Sequence, residues 1–199
     1  MHPDGVCGLV LSGGRGARML GEDKGLLRLG GEALAARAIR RLAPQVQSVL
    51  VSANRNHSEY AQLGVPVVSD LTQEFLGPLA GVAAARSRCD AQWVQVVPCD
   101  VPDFPLDLVE RLLRAAKAAG AQLALPVTQE DGGEQAHPVF LLIRASLFDA
   151  LDAYLASGGR SAQAWAEQMG AVRVCFDEAD AFLNLNTPES LDTRERRQS

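Results

Sequence analysis

Apolar and polar positions along this chain switch between a short-strand pattern and a helical one, and the switches mark its elements. Val6 to Leu11 is an apolar run ending in a glycine cluster, as a buried strand would. From Glu32 to Leu42 the spacing of Leu34, Ala38 and Leu42 predicts a helix, which Pro44 stops. Val46 to Val51 predicts a second strand, followed by the polar stretch Ser52 to Ser58, and Pro66 to Val68 a third, closing on Ser69 and Asp70. Gly77 and Pro78 open an alanine-rich helix to about Arg88, because proline lacks an N–H that the first turn could not satisfy anyway. Trp93 to Val97 reads as a strand ending at Pro98, Cys99 and Asp100. Leu106 to Ala119 is an amphipathic helix with Leu108, Leu112, Leu113 and Ala116 on one side. Gln122 to Val127 and Pro138 to Ile143 read as strands, with Gln129 to Gln135 between them a polar, glycine-containing loop. Helices at about Ser146 to Ala156 and Ser161 to Met169 and a strand near Val172 to Phe176 follow, and Pro188 opens a last helix.

Strands alternating with helices predict βαβ units, hence an α/β domain with a mainly parallel sheet and helices on both faces. Residues 1–192 form that single domain, with residues 193–199 a charged, frayed tail. The 199 residues, 47% apolar and 22% charged, are enough to build one core without a staple. A net charge of −5 leaves no spread basic face for nucleic acid, so phosphate binding has to be local. Cys7, Cys89, Cys99 and Cys175 show neither zinc spacing nor a disulfide framework. The first residues lack a secretory pattern, and no apolar run nears the roughly 20 residues of a membrane span, so a cytoplasmic protein is expected.

Ligands in open α/β sheets bind at the carboxyl ends of the strands. Four successive predicted strands end here in polar residues: Ser12-Gly13-Gly14, Ser52-Ala53-Asn54, Asp70 and Asp100. In the run from Leu11 to Met19, glycines let the backbone amides approach a phosphate, and Arg18 and Lys24 add charge. No Gly-Lys-Ser/Thr follows, so this is no P-loop, and Met19 stands where a dinucleotide fingerprint needs its third glycine. A tight connection is the plain alternative; the two basic residues favour phosphate. Asp100 at an apolar strand tip suits a cation that takes one or two carboxylates and keeps phosphate and water ligands. Its alternative is helix capping, which Asp103 can supply instead. Asp70 can accept from the N1–H and 2-amino group of guanine or serve as a turn residue, and Ser52 and Asn54 are equally open. His137 reads as a capping or packing residue, and no histidine is tied to a nucleophile motif.

The run Leu-x-Gly-Gly-x-x-x-Arg-Met followed by Asp23-Lys24-Gly25-Leu26-Leu27 resembles the signature of the molybdenum cofactor guanylyltransferases. The likeness continues through Ala53-Asn54-Arg55, Asp70, Gly77-Pro78-Leu79-Ala80-Gly81, Pro98-Cys99-Asp100-Val101-Pro102, His137-Pro138 and Asn184-Leu185-Asn186-Thr187-Pro188-Glu189. It implies a Rossmann-like fold of the nucleotide-diphospho-sugar transferase type. It also implies transfer of GMP from GTP to the terminal phosphate of molybdopterin or Mo-molybdopterin, giving the guanine dinucleotide cofactor and pyrophosphate. Carried over by position, Leu11, Ser12, Gly13, Gly14, Lys24, Ser52, Asn54 and Gly81 bind the nucleotide, and Asp70 reads guanine. Asp100 holds Mg²⁺, with Mn²⁺ as the alternative, and touches the nucleotide. Arg18, Lys24 and Asp100 carry the catalysis, Asn184 and Asn186 lie on the pterin side, and cofactor-delivery and acceptor proteins are implied partners. Ser12 stands where alanine is common, and Ser52 where some members have asparagine. The rival expectations are a molybdopterin cytidylyltransferase, a sugar-phosphate nucleotidyltransferase, or a nucleotide-binding regulatory or chaperone-like protein without catalysis. Gly13-Gly14 and Asp70 favour guanine over cytosine.

Overall fold

The structure is a computed structural model that describes residues 5–12, 18–19, 22–70, 77–130 and 132–185, with the backbone alone at Arg18, Met19 and Glu22. The strands of its main sheet are β1 (Val6–Leu11), β2 (Ser48–Ser52), β3 (Val67–Val68), β4 (Trp93–Pro98), β5 (Leu123–Glu130), β6 (Gly133–Ala136), β7 (Leu142–Arg144) and β8 (Val172–Phe176). Between them run α1 (Leu34–Leu42), α2 (His57–Ala61), α3 (Pro78–Ala85), α4 (Leu108–Ala119), α5 (Phe148–Ala156) and α6 (Ala162–Gln168). The sheet order is β6-β5-β7-β4-β1-β2-β3, with β8 on the other edge of β5. β1, β2, β3 and β4 are mutually parallel, and β8 is parallel to β5; β7 runs antiparallel to both β4 and β5. The expected α/β, mainly parallel architecture is therefore present.

Alternation along the strands divides the core between two faces. Val6 and Val10 of β1, with Val49 and Val51 of β2, pack against Ala35, Ala38 and Leu42 of α1 and Leu108, Leu112 and Ala116 of α4. Cys7, Leu9 and Leu11, with Leu50, face Leu79 and Val82 of α3, Leu151 of α5 and Trp165 of α6. Every residue of β1 is buried, as a central parallel strand covered on both faces must be. Gly8 is needed there: a Cβ would lie 2.6 Å from Leu42 Cδ2, so the missing side chain lets α1 settle onto the sheet.

Local differences from the sequence expectations have physical causes. The stretch Gln129 to Gln135 is part of a β-hairpin rather than a loop, with Val127 opposite Ala136 and Glu130 opposite Gly133. The outer residues of the hairpin face solvent on both sides, so no apolar alternation marks them. The strand expected from Pro138 begins at Leu142, because His137 to Phe140 close a turn through the Phe140 amide and the His137 carbonyl, 3.0 Å apart. α4 starts at Leu108, and Asp103 does not cap it: the Val109 amide donates to Gln45 Oε1 at 3.1 Å, from the segment after α1. The short α2 was not expected; it begins at the end of the polar stretch and runs past it to Ala61. The expected Pro188 helix and the tail 193–199 lie outside the described residues.

Candidate active site

The parallel strands β1, β2, β3 and β4 deliver their carboxyl ends to one rim. Hydrogen bonds between the tips keep them together: the Ser12 amide donates to the Ser52 carbonyl at 2.8 Å, Cys99 to Leu11 at 3.0 Å, and Ala53 to Val68 at 2.9 Å. Two polar pairs stand on this platform. Lys24 Nζ meets Asp100 Oδ2 at 2.7 Å, and Asn54 Nδ2 donates to Asp70 Oδ2 at 2.8 Å while Asn54 Oδ1 accepts the Asp70 amide at 2.9 Å. Lys24, Asn54, Asp70 and Asp100 thus come from separate parts of the chain to one edge of the sheet.

Lys24 is only 5% exposed, so its ammonium is buried against a carboxylate whose side chain keeps 19% of its surface in contact with solvent. A charge so deeply placed is tolerable only with a partner. Asp70 has the opposite problem. Burial pushes its carboxyl above the ordinary value of 3.8, and the Asn54 amide partly opposes that rise.

The other residues expected on the nucleotide side lie beneath these pairs. Leu11, Ser12, Ser52 and Gly81 are all buried. Ser52 faces α3: a Cβ on Gly81 would sit 2.6 Å from Ser52 Oγ and 2.9 Å from Leu11 Cδ2. Ser12 Oγ is buried just before Gly13 and has no hydrogen-bond partner among the described residues. Gly13, Gly14 and Asn186 lie outside the described residues, and for Arg18 only the backbone is described, in a short strand pair opposite Asp23. Asn184 is exposed beside the rim, since the next residue, Leu185, donates its amide to the Asp100 carbonyl at 2.8 Å. His137 is a packing residue, stacked on Phe182 with ring centroids 4.5 Å apart and hydrogen-bonded through Nε2 to Thr128 Oγ1 at 2.8 Å.

A cluster around Asp23 was not singled out from the sequence. Its Oδ1 accepts from the Tyr60 hydroxyl at 2.6 Å and from the Gly25 amide at 3.2 Å, and its Oδ2 from Asn56 Nδ2 at 3.0 Å. The signal available was the position of Asp23 beside Lys24; nothing in the sequence between β2 and β3 pointed to Asn56 or Tyr60.

A cation of the magnesium type fits Asp100 as a single-carboxylate site. No group of three His, Cys, Asp or Glu side chains gathers among the described residues. The other ligands would therefore come from phosphate and water, as that ion prefers.

Residues 8–172 match the family model of the MobA-like NTP transferase domain. The molybdenum cofactor guanylyltransferase of Cupriavidus necator is 48% identical over 195 residues, covering 98% of both chains. The protein of the same name from Bordetella pertussis is 44% identical over 182 residues, or 92% of each chain. In fold, the chain is similar to molybdopterin-guanine dinucleotide biosynthesis protein A from Archaeoglobus fulgidus, with a TM-score of 0.76, 22% identity and coverage of 96% and 98%. It is also similar to 4-diphosphocytidyl-2C-methyl-D-erythritol synthase from Anaerococcus prevotii, with a TM-score of 0.73 at 10% identity, covering 98% of this chain and 96% of that one. Those two likenesses speak for the fold alone.

Proposed function

Because this chain belongs to the molybdenum cofactor guanylyltransferases, within the MobA-like NTP transferase family, we propose that it joins the GMP unit of GTP to the terminal phosphate of molybdopterin and releases pyrophosphate. The observation that carries this reading is the meeting of Lys24, Asp100, Asn54 and Asp70 on one rim. It supplies a cationic end for a triphosphate and a carboxylate end for a base. Asp70, steadied by Asn54, is the group that accepts from guanine N1–H and the 2-amino group. In this reading Lys24 serves the phosphates together with Arg18, Gly13 and Gly14, while Leu11, Ser12, Ser52 and Gly81 shape the floor under them. Asn184 and Asn186 serve the pterin side.

The acceptor phosphate is already anionic near neutral pH, so no general base is required. Its oxygen forms a bond to the α-phosphorus as the bond to pyrophosphate breaks in line. The barrier is the approach of one anion to another, and fixed positive groups lower it. A divalent cation on Asp100, Mg²⁺ by preference, would add charge neutralisation between carboxylate and triphosphate. Lys24 holds one oxygen of Asp100 and keeps the carboxylate aimed at the rim. No helix among the described residues is long and apolar enough to cross a membrane, and a GTP-consuming reaction suits the cytoplasm.

Pyrophosphate release on mixing the protein with GTP, Mg²⁺ and molybdopterin tests the reaction, and release should stop when the acceptor is omitted. Asp100→Asn, which keeps the shape and removes the charge, should lower the rate about 10²–10³-fold with the fold intact. An unchanged rate in that variant overturns the role of Asp100; no release by the unaltered protein overturns the reaction.

A further inference from the structure

We propose that Asp23 is a positioning residue for Lys24, held in place by Tyr60 and Asn56 from the α2 segment. This rests on the phosphate-facing role of Lys24 given above.

Lys24 opens a three-residue 3₁₀ turn, Lys24–Leu26, whose closing bond from the Leu27 amide to the Lys24 carbonyl is long at 3.3 Å. Such a turn does not fix a side chain by itself. The ammonium must nevertheless reach Asp100, 76 residues further along and just past the β4 tip. Asp23 supplies the restraint. It caps the turn through the Gly25 amide and takes two further donors, Tyr60 and Asn56, on its two oxygens.

Each donor has a feature that packing alone does not require. Tyr60 is fully buried, and its one hydroxyl proton goes to Asp23 at 2.6 Å; the Ser12 carbonyl is the more distant contact at 3.4 Å. Burial and the neighbouring Asp23 push the Tyr60 pKa far up, so the hydroxyl remains a donor throughout the working range. Asn56 occupies the N-cap position of α2, where its carbonyl accepts the Glu59 and Tyr60 amides, but among the described residues its side chain makes no capping bond. Asparagine at that position normally turns back to the helix amides. Here it adopts a left-handed backbone, φ 51°, and reaches out to Asp23 instead. Gly25 completes the lock, because a Cβ there would collide with the Tyr60 hydroxyl and press on Ser12.

The same short helix is tied to the loop bearing Asn54, through His57 Nε2 donating to the Ala53 carbonyl at 3.1 Å. Asp23 therefore sets the phosphate-facing lysine relative to the base-facing loop. The interaction acts through geometry, so its loss should appear in kcat rather than in GTP capture.

The test pairs crystal structures with a double-mutant cycle on pyrophosphate release, using GTP, Mg²⁺ and molybdopterin. Tyr60→Phe should lower kcat about 10–10²-fold, with KM for GTP changing less than about twofold, as a small misplacement of a catalytic group does. Combined with Lys24→Met, it should add less than about a twofold loss, since the lysine it serves is gone. Equal losses in both backgrounds overturn the proposal, as does a Tyr60→Phe crystal structure with Lys24 still against Asp100. Asn56→Gly keeps the left-handed backbone and removes only the amide, so it carries the same test if Tyr60→Phe does not fold. A protein that releases no pyrophosphate sinks the guanylyl-transfer reading, while the position of Lys24 in the crystals still decides the role of Asp23.

Discussion

Asp70 shows how a single residue at this rim is tuned by burial. In the window between 3.8 and its raised folded value, Asp70 binds more protons folded than unfolded, so its contribution to stability falls as pH rises through that window. In its proposed role, accepting from guanine requires the ionised form. KM for GTP should therefore rise on acidification at pH values where an exposed aspartate is still charged. Asp70→Asn should remove that acid limb and raise KM for GTP about 10–10²-fold near neutrality, the loss of a hydrogen bond to a charged group. A KM profile identical in both proteins would show that Asp70 does not touch the base. While Asp70 stayed open between base reading and a turn, Lys24 and Asp100 were legible in the sequence, the first as charge beside a glycine-rich turn and the second as a carboxylate at the end of an apolar strand. Asn56 and Tyr60 were not, since their partner Asp23 is 33 and 37 residues away and no local pattern reports it.

At the scale of the element, the floor depends on α3 lying unusually close to β1 and β2. Gly81 makes that approach possible, and Gly81→Ala should destabilise the fold by about 1–3 kcal/mol, because the new methyl meets Ser52 Oγ and Leu11 Cδ2 inside contact distance. Urea denaturation measures it; an unchanged midpoint would mean that α3 shifts at no cost. The long amphipathic α4, the all-apolar β1 and the largely apolar β4 were readable from the sequence pattern, since burial on one face or on both imposes it. The β5–β6 hairpin was not, because it projects into solvent, where nothing selects apolar residues. Nor was the cap of α4, which comes from Gln45, 64 residues before the amide it satisfies.

Across the whole molecule, the C-terminal half closes on the sheet through His137, which touches Thr128 on β5 and Phe182 beyond β8. Burial lowers its pKa below the ordinary 6.5, outweighing the pull of Glu130 in the other direction. The stability it contributes is complete above pH 6.5 and is lost as pH falls through the lowered value. Thermal unfolding should show Tm falling below that point, and His137→Gln should flatten the fall; an equal acid loss in both would place the cause elsewhere. The topology was legible because alternating strands and helices admit few arrangements, and the convergence of the strand tips follows from their parallel direction. The measurement that bears most directly on guanylyl transfer at this rim is the ratio of kcat/KM for GTP to that for CTP, with molybdopterin and Mg²⁺. A site whose buried carboxylate needs the guanine donors should favour GTP by at least about 10²-fold; equal turnover of the two nucleotides, or a preference for CTP, would contradict it.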